Sequence, residues 1–208
     1  MSCCRSGSLI ETGEVNLRLG DYHRARVNFE EAVNRFPKSS LARLGLGKAL
    51  LQQYSSNSQD STILIDCIIQ LEAARTLNPD KEVEKLLSIV WFKRAKIHLG
   101  KEDTIAALQA LSRSISLDPR APSPVNLAGI LYFYRGEKDK ALNLFRLVTT
   151  LDTASVSGYF NTGMIYWADS NYVQAYQNWF KAAQNSPQDK EILTWAARAK
   201  EQYSGAIK

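Results

Sequence analysis

Residues 156–189 read VSGYFNTGMIYWADSNYVQAYQNWFKAAQNSPQD, and the pattern in this stretch decides the fold. The small residues Gly163 and Ala175 alternate in it with the large residues Tyr159 and Trp179. The same small and large positions return elsewhere in the chain at a fixed interval. Such an interval is the signature of a repeat protein, in which each unit packs against its neighbours.

The interval is 34 residues, and both the small and the large positions keep it. The small positions are Ala95, Gly129 and Gly163, then Ala107, Ala141 and Ala175, and also Gly13 with Gly47. The large positions are Trp91, Val125 and Tyr159, then Leu111, Phe145 and Trp179. Because small residues let two helices approach closely while large ones fill the space beside the contact, we expect tightly packed helix pairs.

Residues 122–155 show what one unit contains. Helical periodicity runs over Val125–Tyr134 and again over Lys138–Thr150, and the polar turn Arg135–Glu137 separates the two segments. Each unit is therefore predicted to be a helical hairpin that buries its apolar faces only against its neighbours. The predicted fold class is all-α, built from antiparallel helical hairpins.

The repeating unit resembles the tetratricopeptide repeat, whose pattern runs from an aromatic residue through Leu-Gly, Tyr, Ala, an aromatic and Ala to a closing Pro. The last unit matches it with Tyr159, Thr162-Gly163, Tyr166, Ala175, Trp179, Ala182 and Pro187. The resemblance implies a right-handed superhelical α-solenoid of about eleven helices. The repeats are assigned to residues 6–39, 40–81, 88–121, 122–155 and 156–189.

Four segments surround or interrupt these repeats. Residues 1–7 are predicted to be a flexible leader, and the solenoid is predicted to span residues 8–189. Extra polar residues predict an inserted loop over 54–62, whereas charged helix formers over 80–87 predict an extended start of the next helix. Amphipathic spacing over 190–208 predicts a capping helix and tail.

The composition argues against an enzyme. The chain has 208 residues, of which 45% are hydrophobic and 23% charged, and its net charge is +5. This is enough apolar material for a core, and the positive excess falls short of a nucleic-acid signature. Two histidines and three cysteines leave little material for a metal site, a disulfide framework or a catalytic pair. We therefore predict no metal, no cofactor and no catalytic residue.

Individual motifs give the same prediction. Residues 44–48, LGLGK, superficially resemble a phosphate loop but lack its remaining spacing and a preceding strand. His98 and His23 have no motif partner that would make either a base or a ligand. Cys67 takes the place of a small residue in the second unit, so we expect a buried apolar group rather than a nucleophile.

In a tetratricopeptide solenoid the first helix of each hairpin lines the concave groove, and partner-binding residues are expected there. The groove candidates are Phe92, Lys96, Asn126, Ile130, Phe133, Tyr134, Phe160, Asn161, Met164 and Trp167. This aromatic and apolar set with a few amides suits a peptide or an amphipathic helix of a protein partner. The open alternative is that several of these side chains pack against the next repeat or the capping helix.

Some tetratricopeptide proteins grip the C-terminal carboxylate of a chaperone with a clamp of Lys, Asn and Arg. Here the clamp-type positions of the first unit hold Ile10 and Glu14, and one in the fourth holds Leu127. Because these residues do not supply the donors, the resemblance does not extend to this clamp. The function predicted is a non-enzymatic scaffold or adaptor for protein–protein interaction.

Two further features keep alternative functions open. Lys93, Arg94 and Lys96 form a basic patch that suits an acidic polymer or nucleic acid, or is simply the solvated side of a helix. No base-reading code recurs, so no nucleic-acid partner is expected. Cys3 and Cys4 are candidate sites of lipidation, which would make the protein a tethered assembly or pilotin-like factor at a membrane.

The expected location is cytoplasmic, because no apolar stretch has the length of a signal peptide or a membrane span. A membrane-associated protein anchored by an N-terminal lipid is the alternative, and so is a periplasmic protein whose upstream signal has been removed.

Overall fold

A computed structural model describes residues 3–56 and 60–205, which form eleven α-helices and no strand. The helices are α1 (Cys3–Arg18), α2 (Tyr22–Arg35), α3 (Ser40–Ser56), α4 (Ser61–Leu77), α5 (Lys81–Gly100), α6 (Thr104–Leu117), α7 (Pro122–Tyr134), α8 (Lys138–Leu151), α9 (Val156–Ala168), α10 (Tyr172–Asn185) and α11 (Lys190–Gly205). The predicted all-helical fold class is confirmed. The chain divides into two compact units, Met1–Asp118 with α1–α6 and Pro119–Lys208 with α7–α11.

Side chains cap the first turn of several helices. Asp21, Asp103 and Asn171 each accept a hydrogen bond from the backbone amide three residues on, at the start of α2, α6 and α10. Asp60 and Asp80 accept one from the amide two residues on, at the start of α4 and α5. These bonds satisfy amide groups that the first helical turn leaves without an acceptor.

The turn inside four of the hairpins uses the same backbone conformation at the same place in the repeat. Gly20 and Gly136 have φ of 77° and 80°, and Glu102 and Ser170 have φ of 60° and 57°. Each lies seven residues after the small residue of its first helix. Glycine adopts this left-handed conformation without steric cost, whereas the Cβ atoms of Glu102 and Ser170 oppose it.

In the first, fourth and fifth hairpins, a glycine of the first helix lies directly against a large side chain of the second. A Cβ atom added to Gly13 would lie 2.7 Å from Phe29, at Gly129 2.6 Å from Phe145, and at Gly163 2.5 Å from Trp179. Each pair is separated by sixteen residues, as the repeat predicts. No side chain fits at these glycines unless its neighbour moves.

Phe29 also joins two hairpins. Its ring packs against Gly13 of α1 and against Gly45 of α3, and a Cβ atom added to Gly45 would overlap the ring. The sequence suggested no such role for Gly45, because the repeat pattern marks contacts within a hairpin and not those between consecutive hairpins.

Several boundaries differ from those that the sequence predicted. Helix α1 begins at Cys3, inside the predicted leader 1–7. Part of the predicted loop 54–62 is helical, because α3 continues to Ser56 and α4 begins at Ser61. Helix α5 is 20 residues long and includes most of the charged segment 80–87. Within residues 3–56 and 60–205, each helix is too short or too polar to cross a bilayer.

Candidate partner-binding site

The structure uses three of the predicted groove residues for packing. Phe160, Met164 and Trp167 of α9 lie against the cluster around Trp179, to which α11 contributes Trp195. The ring centroid of Trp167 is 5.7 Å from that of Trp179 and 5.8 Å from that of Trp195. These aromatic side chains hold α9, α10 and α11 together. Substituting them would test stability as much as binding.

A pair of amides from the predicted groove joins α7 to α9. Asn161 Nδ2 donates a hydrogen bond of 3.0 Å to Asn126 Oδ1, and both side chains are half-buried. Among the described residues, the amino group of Asn126 and the carbonyl oxygen of Asn161 have no further hydrogen-bond partner. The amino group of Asn126 and the carbonyl oxygen of Asn161 thus remain for a ligand, and the backbone of a peptide offers the complementary groups.

Apolar groups lie on the same helix as Asn126. Ile130 and Phe133 are half-buried against the cluster around Phe145. Tyr134, at the end of α7, is 81% exposed, and its ring meets that of Phe133 edge to face at 6.0 Å. The second unit therefore presents what we call the first-helix face. It consists of Asn126, Ile130, Phe133, Tyr134 and Asn161.

The other two predicted groove residues lie together in the first unit. Lys96 Nζ is 4.7 Å from the ring centroid of Phe92, one turn earlier on α5. Lys96 is exposed and Phe92 half-buried. A cation held over an aromatic ring in this way offers a charged and an apolar contact at one place.

The three cations of the basic patch lie over different aromatic rings. Lys93 Nζ lies 5.5 Å from the ring of Tyr54 on α3, whereas the guanidinium of Arg94 lies 4.9 Å from the ring of Trp91. Trp91 also contacts the guanidinium of Arg113 on α6, at 4.7 Å. The physical reason is helical geometry, since adjacent residues of a helix point about 100° apart. Charges that are neighbours in the sequence therefore stack on different aromatic rings.

The sequence missed a pocket on the first helices of the first unit. It has a volume of about 340 Å³ and is lined by Leu17 of α1 and Leu44 of α3, among others. Lys48 and Glu82 form an ion pair of 2.7 Å in its wall. Glu14, considered above as a clamp-type position, also lines it. The available signal in the sequence was a leucine near a small residue of the repeat, such as Leu41, four residues before Gly45. In the structure Leu41 is 62% exposed.

Cys67, His98 and His23 are the residues that were considered above for catalysis. Cys67 is fully buried and donates to the backbone oxygen of Gly47 at 3.2 Å, and burial raises the pKa of its thiol to about 12. His98 Nδ1 lies 3.9 Å from a carboxylate oxygen of Asp103, and His23 is exposed. No cluster of three or more potential metal ligands occurs in the described part of the chain. The side chains of Cys3 and Cys4 lie outside the described residues.

Comparison with known proteins defines the class. A family model described as tetratricopeptide repeat matches residues 11–55. The structure of YrrB, described as a tetratricopeptide protein with an unusual peptide-binding site, is similar with a TM-score of 0.58 at 18% identity, over 93% of this chain and 90% of that one. The chain is thus a helical repeat protein with the tetratricopeptide fold, as the sequence predicted.

Two further similarities concern parts of the chain. Over 108 residues it is 29% identical to the photosystem I assembly protein Ycf3 of Rippkaea orientalis, which covers 49% of this chain and 57% of the relative. The matched stretch thus spans little more than half the length of that relative. The first tetratricopeptide domain of Spaghetti (RPAP3), bound to the HSP90 peptide SRMEEVD, is similar with a TM-score of 0.54 at 15% identity, over 58% of this chain and 95% of that one.

Proposed function

We propose that this protein is a non-enzymatic adaptor that binds a segment of a partner protein on the first-helix face. Helical repeats of this fold commonly serve protein–protein interaction, because stacked hairpins present an extended surface. The observation that carries the proposal is the hydrogen-bonded pair Asn126 and Asn161, which leaves an amino group and a carbonyl oxygen beside apolar side chains.

The chemistry of this face favours an extended peptide. A peptide backbone has alternating donors and acceptors, which the two amides match, while Phe133 and the exposed Tyr134 offer apolar contact for a side chain. Two similar structures are described as having a peptide-binding site or a bound peptide. At their low identity to this chain, their structural similarity supports the fold alone, and the amide pair supports the location of the proposed site.

The test begins with selection from a random dodecapeptide library against the full chain, followed by fluorescence anisotropy with the labelled selected peptide. In the variant carrying Asn126→Ala and Asn161→Ala we expect the affinity to fall about tenfold or more, the effect of losing one or two hydrogen bonds to a ligand. The matched control carries Asn143→Ala and Asn185→Ala, which remove two exposed amides from α8 and α10.

The control variant is expected to bind within about twofold of the wild type. Circular dichroism of both variants checks that helicity is retained. Equal affinities of the wild type and the Asn126/Asn161 variant, with both proteins folded, would remove the first-helix face as the binding site. Selection that yields no binding peptide would argue against peptide recognition itself.

A second candidate function is that of an assembly factor. It is favoured by the similarity to a protein named for photosystem I assembly, although only part of that relative is matched. A lipid tether at Cys3 and Cys4 would place such a factor at a membrane. The intact mass of the native protein tests the tether, since unmodified cysteines would eliminate it.

A further inference from the structure

A groove lies between α8 and α10 in the second unit, on the side of the second helices. Its volume is about 540 Å³. Thr162 and Tyr166 of α9 form its floor, Arg146 belongs to the α8 wall, and Tyr176 and Phe180 belong to the α10 wall. None of these residues belongs to the first-helix face, so the groove is a separate feature of the unit.

The charge of this groove is positive. Arg146 and Lys181 contribute to its lining, and none of the eleven described lining residues is acidic. Arg146 donates from Nη2 to the hydroxyl of Tyr166 at 2.7 Å, and Lys181 Nζ lies 5.4 Å from the ring of Tyr159. Neither cation takes part in an ion pair within residues 3–56 and 60–205. The groove therefore attracts negative charge that the described part of the chain does not itself supply.

Its α10 wall combines an apolar anchor with amides. Phe180 is 46% exposed, and its ring centroid lies 5.8 Å from that of Tyr176. Gln177 and Gln184 line the groove beside them. Exposed aromatic rings receive apolar side chains of a ligand, and amides pair with a peptide backbone.

The first unit contains a groove at the equivalent place, between α2 and α4, with a volume of about 300 Å³. In the repeat register its Glu30 is the equivalent of Arg146, and its Asp66 is the equivalent of Gln174. Arg26 Nε pairs with Glu30 Oε1 at 2.7 Å, and the second carboxylate, that of Asp66, leaves this groove with more negative than positive charge. The groove of the first unit is therefore acidic and contains an ion pair, whereas the equivalent groove of the second unit is cationic.

We propose that the groove between α8 and α10 binds an acidic, extended segment of a partner protein and receives one apolar side chain of that segment against Phe180. Charge complementarity selects this occupant. Two cations and no described acidic side chain line the groove, and the equivalent groove lacks that excess. The site is independent of the first-helix face, so the protein has two surfaces for partner segments.

The test uses the full chain and a fluorescein-labelled acidic nonapeptide, EDELFEDEE, measured by fluorescence anisotropy. Saturable binding is expected with Kd below about 1 mM, and the basic peptide KRKLFKRKK is expected not to bind. The variant carrying Arg146→Glu and Lys181→Glu reverses the charge of both cations in the groove, and its affinity is expected to fall about tenfold or more. The control carries Lys190→Glu and Lys200→Glu on α11 and is expected to stay within about threefold.

A second pair of variants separates the apolar anchor from charge. Phe180→Ser is expected to weaken binding about fivefold or more, while Leu193→Ser on α11, whose side chain is 45% exposed, leaves it unchanged. The Asn126/Asn161 variant is expected to bind the acidic nonapeptide normally, which separates this site from the one proposed above.

Three results would overturn the proposal. The first is that the acidic nonapeptide does not bind saturably. The second is an equal loss in the groove variant and the α11 control, which would show a general response to net charge. The third is displacement of the peptide by oligo(dT) in both the wild type and the Phe180→Ser variant with the same affinity, which would make the groove a polyanion site without an apolar anchor.

Discussion

The hairpins α9/α10 and α5/α6 share one register but close it with different side chains. In α9/α10, Gly163 lies against the indole of Trp179, whose Nε1 donates to the backbone oxygen of Phe160 at 3.0 Å. In α5/α6 the same two positions hold Ala95 and Leu111, and both are fully buried. The register thus accepts side chains of different volume at both positions.

The two hairpins also differ in the polarity of their contact. Ser88 and Ser114 are buried between α5 and α6, and each hydroxyl donates to the backbone oxygen of the other residue at 2.8 Å. The position of Ser114 is apolar in the other four hairpins, where it holds Ala32, Ala74, Val148 and Ala182. The third hairpin thus replaces apolar packing with reciprocal hydrogen bonds, whereas the fifth adds aromatic packing.

The largest expected effect on stability comes from removing the aromatic side chain that packs the α9/α10 hairpin. Trp179→Ala should lower the free energy of unfolding by about 4 kcal/mol, because it opens a cavity and removes ring contacts with Trp167 and Trp195. Leu111→Ala in the α5/α6 hairpin should cost about 3 kcal/mol. Urea denaturation followed by circular dichroism measures both.

Leu193→Ala serves as the control, since its side chain is 45% exposed and its loss should cost well under 1 kcal/mol. A smaller loss for Trp179→Ala than for Leu111→Ala would contradict the view that the aromatic hairpin depends more on its large residue.

The next effect tests whether the small and large residues are coupled. In the wild-type background Gly163→Ala should cost about 2 kcal/mol, because the new Cβ atom would meet Trp179 at 2.5 Å. In a Trp179→Leu background the same substitution should cost less than about 0.5 kcal/mol, since the pair then matches that of the α5/α6 hairpin. Urea denaturation of the four proteins gives the coupling energy. Equal costs in the two backgrounds would mean that the register does not couple these positions.

The closure of the hairpins was predictable from sequence for a physical reason. Two helices in contact need a small residue on one side and a large one on the other, and a 34-residue repeat shows both at once. Gly163 with Trp179 and Gly129 with Phe145 could therefore be paired before any coordinates were known. The second hairpin breaks the pattern, because Tyr54 takes the turn position and remains helical, with its ring below Lys93.

The binding face was only partly predictable. An aromatic residue at helical spacing has the same sequence signature whether it faces a ligand or another helix. Trp167 therefore looked like a groove residue until α11 was found to bring Trp195 against it. The groove between α8 and α10 left no local signal, because its walls come from helices of different repeats. The charge of this groove could have been suggested by aligning the repeats, because the alignment places Arg146 at the position of Glu30.

The smallest expected effect concerns the polar contact of α5/α6. Ser88→Ala and Ser114→Ala should each cost about 1 kcal/mol, the net value of one buried hydrogen bond. The double variant should cost less than the sum, because it leaves no buried hydroxyl and restores the apolar contact of the other hairpins. Urea denaturation of the four proteins measures this, with Ser116→Ala, on the exposed side of α6, as the control.

The sign of the coupling decides what the serine pair does. The two hydroxyl oxygens are 3.0 Å apart, so in either single variant the remaining hydroxyl faces a methyl group in a site closed to water. A double variant that costs as much as the two single variants together would mean that each hydroxyl acts alone through its carbonyl. A cost below the sum would show that Ser88 and Ser114 are energetically coupled in the third hairpin, as we expect for Gly163 and Trp179 in the fifth.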